Sequence, residues 1–287
     1  MWFRSINRRL KPALLFMSSL TLSDLYIYPV KSLGGIRLRE SVVEPRGLRH
    51  DRRWLIVNAR NQFMTQRQNA EMALLDVHPA YNGFLLTHRQ RPDLLPLYVP
   101  FEASPEHTLF VTIWDDMVFA WRAERAVDEW LSDALGQPCK LVYMSDMVRR
   151  DVEPELNPEG QLVSFADGYP FLLIGQASLE ELNTRLAQPV PMNRFRPNLV
   201  FTGGEAYMED TWNEFQVGNL GFRAVRACGR CVMTTIDQQT AAKSPEPLRT
   251  LATYRTIGNK VMFGQNVTSR GRGVLQVGDA VTVLGYK

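Results

Sequence analysis

The chain has 287 residues, enough for one large domain or two ordinary ones around a sizeable core. Apolar residues make up 45% of it and charged residues 22%, with 33 basic against 30 acidic side chains. A formal charge of +3, evenly spread, argues against nucleic acid as the main partner, and three cysteines cannot form a fully paired disulfide framework.

The first stretch, "MWFRSINRRLKPALLFMSSL", carries Arg4, Arg8, Arg9 and Lys11 ahead of a short apolar run, Ala13 to Met17. That run is too short for a secretory signal, and a membrane span needs about 20 apolar residues. Residues 1–21 are therefore expected to be a disordered extension of a cytoplasmic protein. A mitochondrial-type leader is the alternative, since no acidic residue precedes Asp24. No other segment has the composition of a membrane span.

Short strands follow. "LYIYPV" (Leu25 to Val30), "RWLIV" (Arg53 to Val57) and "GFLLT" (Gly83 to Thr87) are β-branched, aromatic or aliphatic runs bounded by turn residues. "HTLFVTIW" and "MVFAW" flank Asp115 and Asp116 as a hairpin. "AVDEWLSDALG" places Val127, Trp130, Leu131, Ala134 and Leu135 on one helical face and stops at Gly136. "SLEELNTRLAQP" opens with Ser178 and Glu181 in capping-box spacing and ends before Pro189. "FQV-GN-LGFRAV" and "VLQV-GD-AVTVL" each place a two-residue turn between apolar strands, and "EPLRTLATYR" reads as a third helix. Many strands and few helices point to a mainly β fold, with barrels or sandwiches rather than a doubly wound sheet. A boundary between residues 140 and 150 divides the chain into two β-rich halves.

"ACGRCVMTTID" holds Cys228 and Cys231 in C-x-x-C spacing. A redox dithiol would need a helix N-terminus to favour the thiolate, yet "VMTTI" has a β-type pattern. A zinc site would need four ligands, and the chain has no second C-x-x-C and no paired histidines. Two small buried hydrophobes are a third reading, the favoured one for Cys139. The fourth is one thiolate on a metal whose other ligands come from a cofactor. For that reading, polar residues at turns could gather around an anionic organic group: Lys31 and Ser32 in "PVKS", Asp51 and Arg52 in "DRRW", Asp167 and Gly168 in "SFADGYP", Arg196 and Asn198 in "FRPN", and Arg230 beside the thiol.

The segments "YPVKSLGGI", "GLRHDRRWLIV", "SFADGYPFLLI", "NRFRPNLVFTG", "DTWNEFQVG", "ACGRCVMTTID", "EPLRTLATYR", "FGQNV" and "VGDAVTVL", in this order, resemble one family closely. It is that of the MOSC domain proteins with an N-terminal MOSC β-barrel, and within it the amidoxime-reducing group, mitochondrial and bacterial. The resemblance covers roughly Leu22 to Gly285. It implies an N-terminal MOSC β-barrel domain over residues 22–145 and a MOSC-type β-barrel domain over 146–287, with a few packed helices. It also implies a molybdenum oxidoreductase, independent of pyridoxal phosphate and serving detoxification, that holds the molybdenum cofactor as Mo-molybdopterin. Cys231, the second of the pair, matches the metal ligand and catalytic residue, and Cys228 does not. Lys31, Ser32, Arg52, Asp167, Gly168, Arg196, Asn198, Gly229 and Arg230 match cofactor contacts. Gly229 departs from the family's usual serine, so a contact from that position must come through backbone. No four-cysteine signature of an iron–sulfur cluster is present. Electrons are therefore expected from a separate flavoprotein, ferredoxin or b-type cytochrome. The implied reaction is two-electron N–O reduction of amidoximes, hydroxylamines and N-hydroxylated nucleobases by a monomer. No residue stands out as proton donor. The alternative is a MOSC sulfur carrier that holds a cysteine persulfide.

Overall fold

The computed structural model describes residues 19–153 and 160–287. The basic stretch on which the leader and extension were expected lies in residues 1–18, outside the described residues. The expected extension to residue 21 is too long by at least one residue, because Thr21 already pairs with Thr202.

The fold is mainly β, built on one nine-stranded sheet and three small ones. In spatial order the large sheet runs Val281–Tyr286, Trp212–Val217, Leu220–Arg230, Lys260–Arg270, Phe171–Gly175, Leu199–Thr202, Thr21–Ile27 and Ile36–Leu38. Thr256–Ile257 adds to Lys260–Arg270. A bridge between Thr21 and Ala280 closes this sheet into a barrel, with Leu22 N donating to Asp279 O and Val281 N to Leu20 O, both at 2.9 Å. Closure removes the unpaired edges an open sheet would expose. The closing stave, Thr21–Ile27, comes from the beginning of the chain, and Glu40–Glu44 likewise pairs with Gly273–Gln276. Sheet pairing thus ties the first half of the sequence to the second.

A four-stranded sheet, Trp54–Asn58, Cys139–Tyr143, Asp116–Arg122 and Thr108–Ile113, is the largest of the other three. Trp54 to Val57 are all buried, which explains their unbroken apolar run: Trp54 and Ile56 face one core, Leu55 and Val57 another. The helix Arg125–Leu135 lays Val127, Leu131 and Ala134 into the same core as Trp54. It ends at Gly136, whose φ of 65° is the left-handed cap glycine supplies at low steric cost. Phe201, Trp212 and Phe215 stack in the barrel, with centroids 4.7 and 5.3 Å apart. Burial of each such ring contributes roughly 1.5–3 kcal/mol.

The hairpin over "FQV-GN-LGFRAV" forms as expected, with Val217 opposite Leu220. The hairpin at Asp115 also forms, but its turn is Trp114–Asp115, because Asp116 already pairs with Ile113. The Gly278–Asp279 turn is present, with Asp279 N donating to Gln276 O at 3.0 Å, yet its flanking strands do not pair with each other. Gly273–Gln276 joins Glu40–Glu44, while Val281–Tyr286 joins Trp212–Val217. Longer-range partners outcompete the local hairpin. The capping-box expectation also fails. The helix Gln176–Arg185 starts two residues before Ser178, on an extended Gly175. Ser178 Oγ instead donates to the buried Glu209 carboxylate, and Glu181 accepts from the hydroxyls of Tyr207 and Tyr254. The third helix is a short one, Leu248–Ala252.

Candidate functional site

Strand Leu220–Arg230 delivers Cys228 and Arg230 at one end of the barrel, and Cys231 follows where the strand stops. The run "VMTTI", expected as β, is a single turn of 3₁₀ helix over Val232–Thr235. Thr234 and Thr235 cause this, because their hydroxyls donate back to the carbonyls of Cys231 and Val232 at 3.0 and 2.7 Å. One turn does not supply the helix a redox dithiol would use.

Cys231 opens onto a cleft of about 190 Å³. All ten residues that the family resemblance matched to the metal and cofactor line it: Lys31, Ser32, Arg52, Asp167, Gly168, Arg196, Asn198, Gly229, Arg230 and Cys231; Asp51, also singled out, stands behind Arg52 instead. Arg67 and Arg194, which sequence reasoning missed, line it as well. Six cationic side chains therefore surround the cleft against one carboxylate, Asp167. Such a lining attracts anions strongly, since each charge acts beside a low-dielectric wall.

The two thiols have different partners. Arg230 Nη1 donates to Cys228 Sγ at 3.1 Å, and Cys228 packs against the apolar cluster containing Phe195 and Phe263. Cys231 Sγ instead accepts from Arg67 Nε at 3.3 Å. Arg67 Nη2 reaches Asp167 Oδ2 at 2.8 Å, and the other Asp167 oxygen pairs with the buried Lys31 ammonium. Lys31 also donates to Phe165 O at 2.8 Å. Burial pushes the Lys31 amine down to about 8, despite the opposing pull of Asp167. Burial alone would raise the Asp167 carboxyl, but Lys31 and Arg67 hold it well below the usual carboxylate range. Cys139, by contrast, is buried in the core, where desolvation raises its thiol to about 11. It acts as a small hydrophobe.

A second layer stiffens the cleft. The Tyr28 ring lies between the guanidinium groups of Arg52 and Arg196, 4.5 and 4.1 Å from its centroid. Arg52 is held by Asp51 Oδ2 at 2.6 Å and Asn198 Oδ1 at 3.0 Å. Ser32, Arg52 and Arg196 adopt φ of 68°, 48° and 57°, the left-handed region that non-glycine residues seldom enter. Each costs about 1–3 kcal/mol and persists only where the surroundings over-determine it, a condition met most often at functional sites. Gly47, at φ 115°, allows its backbone to approach Pro170 O so closely that a Cβ would lie 2.7 Å from it, which seats the Asp167–Gly168 loop.

A phosphate-bearing pterin fits this set on one observation of the protein itself. Arg196 Nη2 and Arg230 Nε are buried and lack a hydrogen-bond partner, and both arginines line the cleft. Stranded guanidinium donors are costly unless an acceptor arrives. Among the described residues no group of three or more His, Cys, Asp or Glu side chains converges to hold a metal. Gly229 faces the cleft with backbone only, and a Cβ there would meet the flexible Lys260 side chain at 3.2 Å.

Fold and cleft together define a β-barrel protein that presents a thiol inside a cation-lined cleft. Residues 19–138 match the MOSC N-terminal beta barrel domain and residues 160–282 the MOSC domain. The chain is 32% identical over 284 residues to mitochondrial amidoxime-reducing component 1 of Homo sapiens, covering 92% of this chain and 83% of that one. It is 31% identical over 306 residues to the molybdenum cofactor sulfurase of Oryza sativa, covering 92% of this chain and 36% of that protein. The solved structure of the YUAD protein from Bacillus subtilis aligns with 92% of the chain at 8% identity and a TM-score of 0.38. The chain belongs to the family of MOSC domain proteins with an N-terminal MOSC β-barrel that includes the mitochondrial amidoxime-reducing components. Its relatives carry the names of amidoxime-reducing components and molybdenum cofactor sulfurases, so the role at family level is enzymatic and related to molybdenum.

Proposed function

We propose that this chain is a molybdenum-cofactor-dependent reductase of N-hydroxylated compounds: amidoximes, hydroxylamines and N-hydroxylated nucleobases. The observation that carries the reading is the convergence of six cations and two partnerless guanidinium nitrogens on one cleft that also presents Cys231. When bound, the cofactor supplies the two electrons that cleave the N–O bond, which with two protons yields the N–H product and water. Cys231 would be the protein's ligand to molybdenum. Arg67 Nε, 3.3 Å from its sulfur, would donate a charge-assisted hydrogen bond to the ligating atom. Arg196 and Arg230 would receive the anionic part of the pterin, with Lys31, Ser32, Arg52, Asn198 and the backbone at Asp167, Gly168 and Gly229 around it. Asp167 pairs with both Lys31 and Arg67 and so fixes the positions of these two cations at the cleft.

Residues 22–145 and 146–287 would serve as the two domains of a monomer. A separate flavoprotein, ferredoxin or b-type cytochrome would deliver the electrons, and detoxification in the cytoplasm would be the setting. No helix of the described residues is long and apolar enough to cross a membrane.

The test is metal analysis of protein from a host that makes the cofactor, paired with benzamidoxime reduction by an artificial electron donor. About one molybdenum per chain is expected, with activity abolished in Cys231→Ala and retained in Cys228→Ala. A Cys231→Ala protein with full molybdenum and the wild-type rate overturns the assignment. Absence of molybdenum together with a labile persulfide on Cys231 makes the chain a sulfur carrier instead.

A further inference from the structure

The reductase reading leaves open which N-hydroxylated compounds the cleft prefers, and the rim of the cleft addresses this. We propose that Trp114 is a specificity-determining residue whose indole forms a stacking wall beside the cleft and selects planar, aromatic N-hydroxylated substrates. The inference rests on the reductase reading and deepens it.

Trp114 stands one guanidinium away from the Cys231 sulfur. Arg67 Nε lies 3.3 Å from Cys231 Sγ, and the Arg67 guanidinium carbon lies 4.9 Å from the centroid of the Trp114 ring. Trp114 does not itself line the cleft but packs on Arg67, which does, so a substrate held near Cys231 by its N–OH group would carry its remaining atoms toward this indole. Trp114 comes from a sequence-remote hairpin, Thr108–Ile113 with Asp116–Arg122, and sits in its turn.

The indole's position is built rather than incidental. Trp114 adopts φ 53°, a left-handed conformation that a bulky side chain enters only under constraint. The Phe63 ring packs at 5.0 Å, and Phe63 N donates to Thr112 O at 3.0 Å, joining the hairpin to the segment that leads into Arg67. From the other side, Arg150 Nε donates to Asp116 Oδ2 at 2.7 Å. Its other nitrogens hold the carbonyls of Ala166 and Asp167 at 2.6 and 3.2 Å. The hairpin tip is thus tied to the loop that carries Asp167. With all of this support the indole stays 44% exposed, a large π surface left in water beside a polar cleft.

The chemistry matches a flat ring. Arg67 already engages the indole as a cation over a π face, and the exposed remainder offers area for offset stacking. An amidoxime carried on an aromatic ring gains that contact, whereas one carried on a methyl group gains little.

The experiment uses cofactor-loaded wild type, Trp114→Ala and Trp114→Phe, with an artificial electron donor, on benzamidoxime and acetamidoxime. Trp114→Ala should raise KM for benzamidoxime roughly 3- to 10-fold, the range that aromatic stacking accounts for. Its kcat should hold, acetamidoxime kinetics should not move, and Trp114→Phe should recover most of the loss. Equal effects on both substrates, or none, overturn the proposal. So does a defect that appears only with a protein electron donor, which would place Trp114 on the docking surface. Calorimetric binding of benzamidine against acetamidine gives an independent readout: the aromatic preference should be present in wild type and lost in Trp114→Ala. If the wild type holds full molybdenum yet reduces neither amidoxime, the reductase reading fails, while the calorimetry still decides the stacking wall.

Discussion

Two cavities among the described residues stand in contrast, and the smaller is the candidate site. The cleft at Cys231 encloses about 190 Å³, whereas a second cavity, lined by Trp54, Glu102, Glu106, His107, Arg122 and Arg125 among others, encloses about 530 Å³. The larger one mixes carboxylates with arginines, and Arg122 is already engaged by Asp128 at 2.6 Å. None of its lining residues has a positive φ. The smaller one gathers six cations against one carboxylate, three left-handed backbones and two guanidinium nitrogens without partners. Volume therefore says less about function than unbalanced charge held at a cost in strain and desolvation.

The largest expected contrast comes from Arg196→Met, which keeps an unbranched stem and removes the guanidinium that lies over Tyr28. Loss of one charge-assisted contact costs about 1.5–3 kcal/mol, so molybdenum retained after dialysis should fall by roughly an order of magnitude or more. Arg122→Ala in the larger cavity should leave metal content unchanged. If both variants keep their molybdenum, the contrast between the cavities has no functional meaning.

Smaller effects should follow pH in the cofactor-free chain. Lys31 is held at about 8 in the folded state against an ordinary value of 10.5. Across that window the unfolded chain keeps a proton that the folded chain has released, so stability should rise with pH. Asp167 acts in the same direction in a lower window: its depressed carboxyl contributes stability at neutral pH that is lost as pH falls below the ordinary carboxylate range. Urea midpoints across pH should show both trends. Lys31→Met should flatten the alkaline rise, and Asp167→Asn should weaken the acid loss. No counterpart is expected from charges in the larger cavity.

Smallest of all should be Gly229→Ser. A Cβ there meets the Lys260 side chain, nearest at its Cδ at 3.2 Å, so activity should stay within about twofold and stability within about 0.5 kcal/mol. A severe loss would mean that the cleft needs bare backbone at that position.

Much of the architecture was legible along the chain wherever the governing terms were local. The Gly218–Asn219 hairpin and the helix ending at Gly136 formed where turn chemistry and helical period placed them. Expectations failed where a distant partner offered more. The strands beside Gly278–Asp279 separated to join Glu40–Glu44 and Trp212–Val217, and Ser178 left its capping role for Glu209. The site shows the same division. Its ten expected residues sit in short motifs at turns, and all of them line one cleft. Arg67 sits in "TQRQN", which carries no motif, and its contact with Cys231 spans 164 positions. No local signal could have marked it.

By itself the sequence determined a mainly β chain, a family, and a thiol flanked by turn-borne cations, because side-chain chemistry and short-range periodicity are written residue by residue. Only the tertiary structure decided that the first strand closes the barrel, and that Arg67 rather than a neighbour serves Cys231. It also set Trp114 beside the cleft. Each of these depends on which distant segments bury their apolar faces together, a free energy shared over the whole core and recorded at no single position.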